Sequence, residues 1–154
     1  MKTYILMISR YFPSYHCNAG WPTLFLEMIA GGNGGKIHTI RNNWELWQRR
    51  IKAVNEGKAV LSVRYWSGKP YKSKQVEFLR LSTDQVGFQK LERTILGYFI
   101  DDVDSDITTA LLAKNDGLST ADFIKWFKGI LPFDKAFAII HLTKFRYKNS
   151  ASCS

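Results

Sequence analysis

The sequence predicts an α+β fold: a small mixed β-barrel with flanking helices. Three observations predict it. Short apolar, β-branched runs outnumber helical patterns; clusters of Gly, Pro, Asn and Asp separate those runs; and 154 residues, 45% of them hydrophobic, suit a single core. Ten Phe, seven Tyr and five Trp supply bulky packing material, so no disulfide staple is needed. One domain is expected over residues 1–147, followed by a loose tail at 148–154.

Tyr4–Ser9 is apolar and weakly alternating, and reads as a buried strand. Residues 13–18 form a loop. Pro22 suits the first position of a helix, with Leu24, Phe25, Met28 and Ile29 on one face and Gly31-Gly32 at its end. Residues 31–35 make a glycine-rich turn, and Lys36–Arg41 is β-prone. Asn42 or Asn43 caps a helix reaching Asn55, with Trp44, Trp47, Ile51 and Val54 at helical spacing. Ala59–Trp66 is a strand, residues 67–70 a turn, and Lys74–Leu81 and Val86–Thr94 two more strands. The acidic stretch Asp101, Asp102, Asp104 and Asp106 leads into a helix at Ile107–Lys114; as a lid, a helix start or a shield for a basic groove it fits equally well. Asn115-Asp116-Gly117 is a turn, and Ser119 with Asp122 resembles a capping box opening a helix at Thr120–Lys128. Pro132 and Asp134 precede a last strand, Ala136–Phe145.

Several classes fall away. Two cysteines, one of them the penultimate Cys153, make no disulfide framework. The apolar run near the N-terminus is broken by Ser9 and Arg10, unlike a secretory leader. No run approaches the ~18 apolar residues of a membrane helix. The expectation is a cytoplasmic protein with no membrane partner. His16, His38 and His141 lie far apart, so neither a metal site nor a cofactor is expected. Gly35-Lys36 invites comparison with a phosphate-binding loop, but Ala30 stands where that motif needs Gly, and Ile37 where it needs Ser or Thr.

The charge is lopsided. Residues 1–100 carry 15 Lys and Arg against 6 acids, whereas 101–154 balance at 7 and 7. Such a field favours phosphate-bearing partners, or simply a solvated surface.

Within that basic portion, the glycines before Lys36 let the backbone bend. Lys36 and Thr39 are three apart and would face opposite sides of an ideal strand, so they meet only at a bend or bulge. A Lys of lowered pKa can activate a Thr hydroxyl. Arg41 brings a planar fork for phosphate or carboxylate. Tyr65 and Trp66 point opposite ways on a strand, one to the core and the other free to stack a base. Lys69, Tyr71, Lys72 and Lys74 form a basic, aromatic hairpin, a strip for RNA backbone or simply an exposed turn, with Arg64 and Trp66 as further ligand-binding candidates before it.

Gly35-Lys36-x-x-Thr39-Ile40-Arg41 resembles the Gly-x-Lys-x-x-Thr-Ile-Arg signature of ASCH domains, with the glycine shifted against the Lys. The segments Arg64–Tyr71 and Ala113–Leu118, and the pair Trp126-Phe127, look similar to phage- and mobile-element-associated members. The resemblance spans roughly residues 1–147. It implies a PUA-like barrel with a cleft for RNA or a nucleotide. One branch of the family is an amidohydrolase that deacetylates the exocyclic amine of acetylated cytidine with a Lys, a Thr and a Glu. By the motif these map to Lys36, Thr39 and, one methylene shorter, Asp116. Lys36 would take the Thr39 proton, Thr39 would attack the amide, and Asp116 would pass the proton to the leaving amine. Backbone amides of the glycine turn would hold the oxyanion. Three functions follow: a nucleotide- or RNA-binding domain with a basic cleft, an amidohydrolase on acetylated nucleosides, or a protein-interaction module whose cleft is filled by a side chain such as Trp66.

Overall fold

The computed structural model describes residues 1–31, 35–128 and 135–148. Residues 32–34, Pro132, Asp134 and all but the first residue of the expected loose tail lie outside that description.

Eight strands and four helices are described, in the order β1 (Lys2–Met7), α1 (Phe25–Gly31), β2 (His38–Arg41), α2 (Trp44–Asn55), β3 (Ala59–Trp66), β4 (Gln75–Leu81), β5 (Gly87–Thr94), β6 (Gly97–Ile100), β7 (Val103–Asp104), α3 (Thr109–Asn115), α4 (Thr120–Trp126) and β8 (Ala136–His141). The α+β class holds. The described strands form two open sheets, β1-β3-β4 and β2-β8-β5-β6-β7, with no closed barrel among them. In the first sheet β1 runs parallel to β3, from Lys2 opposite Ala59 to Met7 opposite Arg64. The chain between them holds α1, β2 and α2, as a parallel pair requires a long crossover. The second sheet is antiparallel throughout, with His38 opposite His141 where β2 meets β8.

Helix α2 joins the two sheets, touching β3 on one side and β5 and β8 on the other. It starts where expected: Asn43, at φ 58°, accepts a hydrogen bond from the Leu46 amide. Its buried stripe is Trp47, Ile51 and Val54, with Trp44 only half-buried. Burial of Ile51 and Val54 contributes about 1.5–3 kcal/mol each, against about 1 kcal/mol for the cap, so packing decides where this helix lies. The core is continuous from Leu6, Leu61 and Val63 through Val54 to Leu91, Ile100, Ile139 and Ile140.

Several boundaries differ from expectation, for identifiable reasons. Pro22 does not open α1. It forms a bridge with Tyr11, and Thr23 donates its amide to the Arg10 carbonyl, so residues 11–23 fold back on themselves. Leu24 then sits at φ 63°, outside helical geometry, and the helix begins at Phe25. Strands β6 and β7 went unpredicted; they are short, and their connection is the Asp101-Asp102 turn, with φ 51° and 67°. The acids there form no helix. Asp101 accepts from the Lys90 amide, and Asp102 holds the Lys90 ammonium at 2.9 Å. Ser119 caps α4 as expected, accepting from the Asp122 amide, but the helix stops at Trp126 and Lys128 turns to φ 56°. Strand β8 ends at His141 rather than Phe145.

Candidate functional site

The site is built where Asp116 meets the chain just before β2. Lys36 stands outside β2 and forms an isolated antiparallel bridge with Asp116, while the Ile37 amide donates to the Asn115 carbonyl at 2.9 Å. Asp116 caps the C-terminus of α3. Gly117 follows at φ +80°, and a Cβ there would lie 2.9 Å from Met28 Sδ and 3.0 Å from Lys36 Cβ. That turn therefore requires glycine both for its backbone and for the close approach to Lys36.

Both side chains are removed from water, each residue being 4% exposed. Lys36 Nζ donates to Asp116 Oδ1 at 3.0 Å and to the Asp116 carbonyl at 2.9 Å, and lies 4.1 Å from the centre of the Phe25 ring. Burial pushes the lysine pKa below its ordinary value, and the Arg41 charge adds to that; Asp116 opposes but does not cancel them. Burial alone would raise the Asp116 carboxyl, but the Lys36 ammonium and the His38 ring outweigh it and hold the carboxyl below the usual range. The pair is hydrogen-bonded and removed from water, and its lysine gives up its proton more readily than a surface lysine does.

Lys36, Thr39, Arg41 and Asp116 line one cavity of about 250 Å³, walled by Met7, Ile8, Ser9, Phe25, Ile40, Trp126 and Phe127. All three residues of the expected catalytic set and the expected anchor therefore meet. Lys36 and Thr39 are not hydrogen-bonded to each other. The Thr39 hydroxyl accepts from Arg41 Nη1 at 2.7 Å, and Arg41 also donates to the carbonyls of Ile40 and Met7. Arg41 is less a free fork than a tie between β1, β2 and the threonine. Burial lowers its pKa against the opposing charge of Asp116, and a guanidinium stays protonated regardless.

Behind Asp116 lies a buried polar group that the sequence did not reveal. His38 is fully buried, with Nδ1 3.5 Å from Asp116 Oδ1 and Nε2 2.6 Å from the Tyr147 hydroxyl. Asn115 Nδ2 donates to the same hydroxyl at 3.0 Å. Gln89 straps the Tyr147 backbone at both its amide and its carbonyl, each at 2.9 Å, and takes a third bond from His141 Nε2. Burial, with the nearby charge of Arg146, lowers the His141 pKa to about 3, so that ring is neutral. Burial also pushes the Tyr147 phenol well above its ordinary value, keeping it protonated. The only sequence-level trace of this group would have been the His38–His141 strand register, which needs the fold to be known.

The remaining predicted residues lie elsewhere. Arg64 is spent on β3 and β4, donating to Ser62 Oγ at 2.8 Å and Gln75 Oε1 at 3.1 Å. Trp66 is half-buried and packs on Tyr71 with ring centres 5.1 Å apart; it does not enter the cavity. Tyr65 is half-buried too, so neither ring of that pair belongs to the core. Lys69, Tyr71, Lys72 and Lys74 are exposed on the β3–β4 hairpin, outside the cavity lining. A shallower hollow of about 460 Å³ adjoins the cavity, sharing Ile40, Arg41, Trp126 and Phe127 and adding Tyr15, Asn42, Lys128, Lys135 and Phe137. Among the described residues its lining has three cationic residues and no carboxylate. Phe25, Trp126 and Phe127 were not singled out as cavity walls; Trp126 and Phe127 had been marked only through the family resemblance.

No protein-family model, curated protein or solved structure matches the chain. The chemistry of the site therefore rests on its own residues. Outside it, His16, Cys17 and Asp122 come together, but both nitrogens of His16 are already engaged, by the Asn18 amide and the Asp122 carbonyl. Among the described residues no helix is long and apolar enough to cross a membrane.

Proposed function

We propose that the cavity is an amidohydrolase site for a small amine acylated on its exocyclic nitrogen, of the acetylated-cytidine type. The observation that carries this is the convergence of Lys36, Thr39 and Asp116 in one small, largely buried cavity. A buried Lys–Asp pair is costly to desolvate, and perturbed groups of this kind cluster at functional sites. The resemblance of the Lys36–Arg41 segment to ASCH domains, with their PUA-like barrel, points the same way, and Asp116 takes the place of the glutamate.

The steps balance as follows. Lys36 passes its proton to Asp116, then takes the proton of the Thr39 hydroxyl. The Thr39 oxygen bonds to the amide carbon, and the resulting oxyanion lies beside Arg41, already 2.7 Å from that oxygen. The glycine-turn amides expected at the oxyanion lie mostly outside the described residues, and Arg41 is the described donor beside Thr39. The carbon–nitrogen bond breaks as Asp116 protonates the amine. Lys36 again passes its proton to Asp116, takes one from the water that attacks the threonine ester and returns it to the departing Thr39 oxygen; acetic acid leaves, and Asp116 gives its proton back to Lys36. Lys36 must turn from Asp116 toward Thr39 for this, a rotation of its own side chain. Acid-quenched turnover mixtures should carry an acyl group on the peptide containing Thr39; a peptide unmodified throughout turnover removes threonine as the nucleophile.

A nucleotide- or RNA-binding role has its own supporting observation. The adjoining hollow is lined by Arg41, Lys128 and Lys135, and the exposed hairpin offers Lys69, Lys72 and Lys74. Both suit phosphate groups, and binding through them would weaken steeply with salt. The interaction-module role loses its expected feature, since Trp66 does not fill the cavity.

A further inference from the structure

The geometry points to His38 as the positioning residue of Asp116: its ring, fixed from behind by Tyr147, directs an Nδ1–H at the carboxylate and holds it toward Lys36. Its catalytic consequence rests on the amidohydrolase role proposed above, but its chemistry does not.

The tautomer follows from hydrogen accounting. His38 Nδ1 lies 3.5 Å from Asp116 Oδ1 and, among the described residues, makes no hydrogen bond. A bare nitrogen lone pair there would point at a carboxylate and repel it, whereas an N–H attracts it. With the proton on Nδ1, Nε2 accepts, and the Tyr147 hydroxyl is its donor at 2.6 Å. The Tyr147 oxygen in turn accepts from Asn115 Nδ2 at 3.0 Å. Every hydrogen then has an acceptor. The reverse arrangement leaves Asp116 facing a lone pair.

The rear of this chain is rigid. Gln89 holds the Tyr147 backbone by two bonds, and Asn115 belongs to α3, whose next residue is Asp116 itself. The front is loose, since 3.5 Å is a long contact. Such contacts shorten when a substrate completes the site. The groups facing Asp116 are Lys36 and Arg41 as cations, His38 through its ring, and Tyr147 behind it. Lys36 is the one that must swing toward Thr39 in the proposed reaction. When it does, His38 is the donor left to keep the carboxylate in place.

The test reads the tautomer directly. Nitrogen-15 NMR of the histidine rings in the full chain should show His38 protonated at Nδ1 and bare at Nε2. In Tyr147→Phe the carboxylate still faces Nδ1, so the Nδ1–H form should persist. Wild-type protein with the proton on Nε2 overturns the proposal, whether or not the protein turns anything over. The kinetic arm uses two amide replacements. His38→Asn places its NH2 near the Nδ1 position and keeps the donor to Asp116; His38→Gln reaches the Nε2 position and does not. His38→Gln should lose about 10–100-fold in kcat with KM little changed, the loss typical of removing an outer hydrogen-bond partner, and His38→Asn should recover most of it. Equal kcat in the two variants also overturns the proposal. No turnover of acetylated cytidine by any protein, with the Nδ1–H form present, would count against the hydrolase role alone and leave the tautomer in support of His38.

Discussion

Replacing Lys36 by Met removes the ammonium while keeping most of the side-chain volume. It leaves Asp116, 4% exposed, without its main counter-charge. Breaking a buried pair in this way costs about 3–5 kcal/mol. With a urea m-value of about 2 kcal/mol/M, the unfolding midpoint should fall by roughly 2 M. The pH dependence carries a sign that can be worked out. In the wild type the Asp116 carboxyl is held below its ordinary value, so its contribution is present above the unfolded pKa of about 3.9 and is lost as pH falls through the folded one. In Lys36→Met burial is left as the dominant influence and the carboxyl rises. The deficit should then open as pH climbs above about 4, and the two proteins should converge in acid. The double variant Lys36→Met/Asp116→Leu should recover most of the loss, because two apolar groups replace a pair that is costly to desolvate. Urea melts of the three proteins at pH 4 and pH 7 measure all of this. A single-variant loss under about 1 kcal/mol at pH 7, within the range of an exposed pair, would refute the account of a desolvated pair.

Gly117→Ala should destabilise by at least about 1–2 kcal/mol from its left-handed backbone alone, and further from the contacts with Met28 and Lys36. A melting temperature unchanged from the wild type would contradict this. Arg41→Lys keeps the charge but cannot bridge Met7, Ile40 and Thr39 together; kcat should fall about 10²–10³-fold, as for a lost oxyanion donor, with the far-ultraviolet spectrum unaltered. Turnover should fall with rising pH along a limb set by Lys36 and centred below 10.5, because the pair then loses the proton it delivers to the amine and burial lowers that group; a limb at or above that value would show a solvent-exposed lysine. Changing Lys69, Lys72 and Lys74 together to Ala should flatten the salt dependence of any RNA binding and leave turnover of a small substrate intact, since the hairpin lies outside the cavity.

What the sequence disclosed, and what it hid, divides along physical lines. Helix α2 and strand β3 were legible because an Asn cap, a helical stripe and a Val-rich run are local signals. The crowding of Lys36, Thr39, Arg41 and Asp116 was legible only through a short motif and a loose alignment. Spacing alone set Lys36 and Thr39 on opposite faces, and the bridge to Asp116 that breaks the strand spans 80 residues. His38 and Tyr147 were hidden because their roles come from register and from a carboxylate far away in the chain. Pro22 misled because a favourable first-turn residue was claimed by a local bridge to Tyr11. Charge misled in a similar way: the densest basic run marks the exposed hairpin, while the cavity holds Lys36 buried and paired and Arg41 half-buried and bound to Thr39 and two carbonyls.

The most direct test of the central claim is to incubate the protein with acetylated cytidine and follow release of cytidine, with Lys36→Ala and Thr39→Ala beside it. The account predicts steady release by the wild type and none by either variant. Undiminished release by either variant, or none by the folded wild type, would contradict it.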